Sequence, residues 1–177
     1  MANLDNPHGF TLYRSGQSEP TRRVRPAPAN RSPSAAIFIG DAYTLVSGNA
    51  TAATATPSVI NGIVEAIELN PIPAYPQGPT SQDYIVAAEA GAIIGIEDNS
   101  AEFNVQCAGI YTDALGGSYT DLSAVTGNVP LRRSGMTVIL PDATATRELR
   151  VAGRILSFGN NAGETNTDII VHTTHAV

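Results

Sequence analysis

Leu149-Arg150-Val151-Ala152-Gly153-Arg154-Ile155-Leu156 alternates residue by residue. Leu149, Val151, Gly153 and Ile155 fall on one face, and Arg150, Ala152, Arg154 and Leu156 on the other. This is the period-two signature of a strand with one side on a core. Working outward, similar short runs recur along the chain. Residues 35–39 (Ala-Ala-Ile-Phe-Ile) end at the turn pair Gly40-Asp41, and residues 42–46 follow as a second strand. Residues 63–69, 103–110, 129–132, 137–140 and 168–175 read the same way. Residues 83–88 and 92–96, around Glu89-Ala90-Gly91, read as a hairpin. Together these predict about ten short strands, and so an all-β body, a compact β-sandwich or β-barrel. The Ala/Thr tract at 49–56 reads as a surface loop. Residues 71–79, with four prolines, read as a rigid connection. One helical turn is expected near residues 80–83.

The chain has 177 residues and no lysine, and its positive charge is all arginine. Arg14, Arg22, Arg23, Arg25 and Arg31 lie in the first 34 residues with Pro20, Pro26, Pro28 and Pro33. Against Asp5 and Glu19 that segment carries a net +3, whereas five arginines and fourteen carboxylates give the remainder −9. The length fits one domain plus a tail. Residues 1–34 are therefore expected to form an extended Arg/Pro-rich arm, ordered only where something holds it, and residues 35–177 the all-β body. The amino terminus lacks the layout of a signal peptide, and the apolar runs fall far short of the ~20 residues of a membrane span. A soluble protein with no membrane partner is expected.

The residue types of catalysis do not assemble. His172 and His175 are an odd number apart on an expected strand, which separates them onto opposite faces. Residues 97–102 (Glu-Asp-Asn-Ser-Ala-Glu) lack the regular carboxylate spacing and central glycine of a calcium loop, and read as a solvated hairpin turn. There is no Gly-x-Ser-x-Gly elbow, and without lysine there is no Ser–Lys dyad. The single cysteine, Cys107, excludes an intramolecular disulfide and reads as a core residue. No metal, no cofactor and no enzyme activity are expected. The arginine segment is the feature with mechanical content. With an acidic body and only Phe10 and Tyr13 available for stacking, nucleic acid is not the expected partner. Guanidinium forks suit a carboxylate-bearing protein surface better.

Several blocks resemble the small capsid decoration (cement-type) structural proteins of tailed bacteriophages. Met1-Ala2-Asn3-Leu4-Asp5-Asn6-Pro7-His8-Gly9-Phe10 is similar to that family's opening signature, with Asp5-Asn6-Pro7-His8-Gly9 its most specific piece. Ala36-Ile37-Phe38-Ile39-Gly40-Asp41 resembles its first body strand and turn. Residues 62–71 and 83–88 resemble its middle blocks, and residues 149–156 with 169–172 its closing strand pair around an Asn/Gly loop. The long Arg/Pro arm and the Ala/Thr loop depart from the pattern.

The resemblance implies a structural virion protein on the outer surface of the capsid. Its partners would be the major capsid protein and further copies of itself, as a homotrimer. On that footing Arg14, Arg22, Arg23, Arg25 and Arg31 are the expected capsid-binding clamps. Asn6, Pro7, His8, Gly9 and Phe10 are the expected anchor, with Phe10 filling an apolar pocket. The arm would bridge adjacent major-capsid subunits. The alternatives are a head-fibre or tail attachment component, and a carbohydrate-binding β module for host adhesion. The second is weakened by the lack of tryptophan and by the dispersal of Tyr75, Tyr84, Tyr111 and Tyr119.

Overall fold

A computed structural model describes residues 3, 7–16, 19–27, 36–55, 59–69, 80–82, 84–85, 90–123, 127, 132–143, 147–157 and 159–174. Fifteen strands lie among them: β1 (Thr11–Arg14), β2 (Arg22–Ala27), β3 (Ile37–Phe38), β4 (Ala42–Val46), β5 (Asn49–Ala52), β6 (Gly62–Leu69), β7 (Thr80–Gln82) and β8 (Tyr84–Ile85). They continue as β9 (Gly91–Ile96), β10 (Glu102–Cys107), β11 (Tyr119–Thr120), β12 (Leu122–Ser123), β13 (Thr137–Val138), β14 (Leu149–Arg154) and β15 (Thr167–Thr173). Among the described residues a single 3₁₀ turn spans Asp113–Leu115. The protein is all-β, as the alternation predicts.

Two sheets organise the molecule. One runs β11-β14-β15-β10-β13-β12, with β1 also on β10. The other runs β2-β9-β6-β4-β5, with β7 also on β6, and curls into a nearly closed barrel whose end strands β2 and β5 approach within 8 Å, Cα to Cα. A two-stranded ribbon, β3-β8, completes the pairing. Alternation is cleanest in β15, where Thr167, Ile169, Val171 and Thr173 are buried and the residues between them half-buried. In β6 an irregularity between Val64 and Ala66 gives Glu65 as the extra residue of a bulge. It lets Val64 and Ile67, an odd number apart, share the barrel interior, while Ile63 faces the other sheet.

There are accordingly two cores. Between the sheets, Phe103, Val105, Leu149, Val151, Ile169 and Val171 meet Ile63, Ile96 and Phe10. Within the barrel, Ile37, Tyr43, Val64, Ile67, Ile85 and Ile93 pack together with Ala27 and Ala50.

Several local expectations are corrected. Part of the Ala/Thr tract is a strand, β5, because it pairs with β4 as a hairpin and Thr51 meets Thr44 across the ladder. The turn expected near residue 80 is β7, held by β6. Residues 83–96 do not form a hairpin: β8 pairs with β3, and β9 lies between β6 and β2. The acidic turn after β9 joins two different sheets and is no hairpin either. Residues 71–79 lie outside the described residues.

Two glycines are demanded by one aromatic ring. A Cβ at Gly95 would run into the ring and hydroxyl of Tyr43, and one at Gly62 would stand 2.9 Å from that hydroxyl. The fully buried Tyr43 therefore crosses the barrel only because its neighbours on β6 and β9 lack side chains. Gly95→Ala is expected to destabilise the fold by about 1–3 kcal/mol through overpacking, read as a lower midpoint in urea with an unchanged slope.

Candidate functional site: the N-terminal segment

The expected arm is extended, but its partner is the body of its own chain. Strand β1 adds to β10 in the first sheet, and β2 adds to β9 in the second over six register pairs, Arg22↔Ile96 to Ala27↔Gly91. An isolated stretch of this composition has no core of its own, whereas unpaired sheet edges offer it a ladder. The division at residue 34 into arm and body is therefore corrected for the described part of the segment, which belongs to both sheets.

The opening block is fixed just as firmly. The Phe10 side chain is 2 % exposed in the inter-sheet core, and its N–H donates to the Gly40 carbonyl at 2.7 Å. Phe10 fills an apolar pocket within its own chain, where a pocket on the capsid was expected. Gly9 (φ +69°) allows this approach, since a Cβ would lie 2.6 Å from the Gly40 oxygen and against Ser134. The Gly40 N–H in turn donates to the Val64 carbonyl on β6. Pro7 is half-buried, and His8 Nε2 lies 3.4 Å from an Asp168 carboxylate oxygen. Asn3, also buried, donates to the Asn161 carbonyl and to Thr167 Oγ1, and accepts from the Asn161 N–H. Asn6 lies outside the described residues.

Three of the five predicted carboxylate clamps close on the chain's own acids. Arg14 donates to Glu102 at 2.6 Å. Arg22 forks onto both oxygens of Glu65, the bulge residue of β6. Arg25 forks onto Glu97 at 2.6 and 2.5 Å, and the Tyr43 hydroxyl donates to the same carboxylate at 2.5 Å. The expected clamps were for a capsid partner, whereas these pairs are intramolecular. Arg23 is exposed, and Arg31 lies outside the described residues.

Charge explains the states of these groups. Hydrogen bonding to their glutamates pushes Arg14, Arg22 and Arg25 up, so all three stay cationic. Burial pushes the Glu97 carboxyl up, but the bonds from Arg25 and Tyr43 together outweigh it and hold it below its ordinary value. Burial, then Glu97, pushes the Tyr43 phenol up, so it remains a donor. Sequence reasoning missed Glu97 and Tyr43, because an acidic turn and an apolar run give no sign of a shared buried pair.

Beside Gly40 sits a second buried acid. Asp41 accepts from the Phe38 N–H at 2.9 Å through Oδ2, while Oδ1 is buried with no partner. Burial pushes its carboxyl up to about 6, against smaller opposing contributions from Ser134 and Phe38.

Other residues singled out by sequence fall elsewhere. His172 lies on β15 and is pushed down by burial and then by Arg150; His175 lies outside the described residues. Cys107 is buried, and burial pushes its thiol up. Within the acidic turn, Asp98 accepts from the Ser100 N–H and hydroxyl, and Glu97 is buried, so the solvated turn is corrected there. Among the described residues no group of three or more histidines, cysteines or carboxylates is placed to hold a metal. No family model, curated protein or solved structure matches this chain.

Glu97→Gln removes the charge between Arg25 and Tyr43. It should cost about 1–3 kcal/mol, between the exposed and buried ranges for broken ion pairs, measured by urea denaturation at pH 7. Asp41 gives a signed pH dependence. Its folded value of about 6 exceeds the ordinary 3.8, so its contribution to stability is complete below 3.8 and is lost as pH rises through 6. Asp41→Asn is therefore expected to raise the melting temperature at pH 7.5 and to change it little at pH 3.5. A scan from pH 3.5 to 7.5 checks this.

Proposed function

We propose that this chain is a structural virion protein set on the outer surface of a tailed-phage capsid, where it cements neighbouring major-capsid subunits. One observation carries the reading. Two blocks that resemble the capsid decoration family, the one ending in Gly9-Phe10 and the one ending in Gly40-Asp41, meet at a single node, where Phe10 bonds to Gly40 across the glycine contact. The likeness thus rests on residues that the packing demands, and that supports kinship of architecture over a chance string.

The manner of attachment differs from a free arm gripping with arginine. Arg14, Arg22 and Arg25 are committed to the chain's own acids, so they serve to brace the surface. The large apolar and aromatic side chains that β1 and β2 expose include Tyr13 (52 % exposed) and Val24 (67 % exposed), while the exposed Arg23 falls on the opposite face of β2 from Val24. Val24 stands in register with the half-buried Ile94 on β9, which in turn pairs with Ala66 on β6, giving an apolar row across three strands. A row on a rigid sheet meets a partner with little ordering cost. In this reading Tyr13 and Val24 contact the major capsid protein, and copies assemble as homotrimers across the seams between subunits. Preference for the assembled shell over free subunits would stabilise the shell by mass action.

Sedimentation of the purified protein with undecorated mature heads tests the reading. Removal of residues 1–34 is uninformative, because it takes Phe10 and two strands from the fold. Val24→Asp with Tyr13→Ala is expected to weaken co-sedimentation roughly tenfold or more while leaving the melting temperature nearly unchanged. Absence of the unaltered protein from the head pellet would overturn the assignment.

A further inference from the structure

We propose that the leading segment, through Ala27, is exchangeable between copies of this chain, each copy's segment occupying the two-sheet receptor of another. The segment builds no sheet of its own: β1 and β2 join different sheets and do not pair with each other. Its shape is supplied at separate stations on the body. These are the Asn161 and Thr167 contacts for Asn3, the Gly40 carbonyl and inter-sheet core for Phe10, the β10 edge for β1, and the β9 edge with Glu65 and Glu97 for β2. Every station is built from residues 40 onward, so each copy presents the same receptor, and it fits this sequence in register.

The occupant is a second copy for two reasons. The fit already exists, so exchange keeps every contact and alters only the link between segment and body. Charge agrees, with a net +2 through Ala27 against −8 in the remainder. The link, residues 28–35, is eight residues long and contains two prolines. At full extension eight residues reach roughly 26–29 Å, comparable with the diameter of a small domain. The association cost is met in a closed ring, where each copy both gives and receives a segment. This inference concerns the free protein and needs no capsid.

Val24 and Ile94 are register partners on β2 and β9, which makes the test direct. One tagged chain carries Val24→Cys and a differently tagged chain carries Ile94→Cys; both retain the buried Cys107. The two are co-expressed, oxidised and run without reductant. Exchange predicts a covalent species containing one of each chain, and predicts that the double variant V24C/I94C links into species larger than one chain. A double variant that closes wholly at the mass of one chain, or mixed single variants that do not link, overturns the proposal. Light scattering of the unaltered protein gives an independent arm. A multimer is expected, and a monomer at every concentration tested also overturns the proposal, whatever the cysteine variants do.

Discussion

The Glu97 carboxylate, set between the Arg25 fork and the Tyr43 hydroxyl, is the interaction on which the barrel depends. It joins β2, the end of β9 and β4 through one buried acid, and three donor bonds offset the cost of taking that charge out of water. The geometry leaves no slack. Tyr43 reaches Glu97 because Gly62 and Gly95 leave its ring a channel, and Arg25 reaches it because β2 is held in register on β9. β2 otherwise buries little, with Ala27 its one fully buried side chain. Its closure of the barrel therefore rests on ladder bonds and on this polar knot.

The division of charge along the chain follows the same logic. A cationic leading segment and an acidic remainder look, in sequence, like a molecule that needs an acidic partner. In the folded protein much of that complementarity is spent internally, on Glu65, Glu97 and Glu102. Under the proposed capsid role, the surface that would be left to a partner is the outward, partly apolar face of the added strands. A protein that works by covering a surface gains from this arrangement, since a braced sheet face has little freedom left to lose.

Much of the fold was legible because alternation carries it. β10, β14 and β15 bury alternate residues and their existence follows from period two, whereas β4 and β6 show in the sequence as short apolar runs. β5 and β7 were missed because Thr, Ala and Ser carry almost no signal of their own, so those strands exist through the neighbours that pair with them. The supposed hairpin ending at residue 96 failed for a related reason: periodicity identifies a strand but not its partner, and β9 pairs with segments distant in sequence. In the leading segment the arginines stood out, but the address of their forks was not legible. A guanidinium fork specifies a carboxylate, and nothing in the spacing says whose. Glu97 was hidden because the average polarity of its turn masks the side chains that are buried there.

The Asn3 contacts carry a consequence for biosynthesis. Asn3 bonds to Asn161, 158 residues away, and His8 lies against Asp168. On the ribosome Asn3 emerges 158 residues ahead of Asn161 and must therefore wait, without its native surroundings, until that partner has been made. Folding that depends on such distant closures is slow in its last step. During that interval the nascent leading segment is open to capture by whatever molecules are being translated nearby.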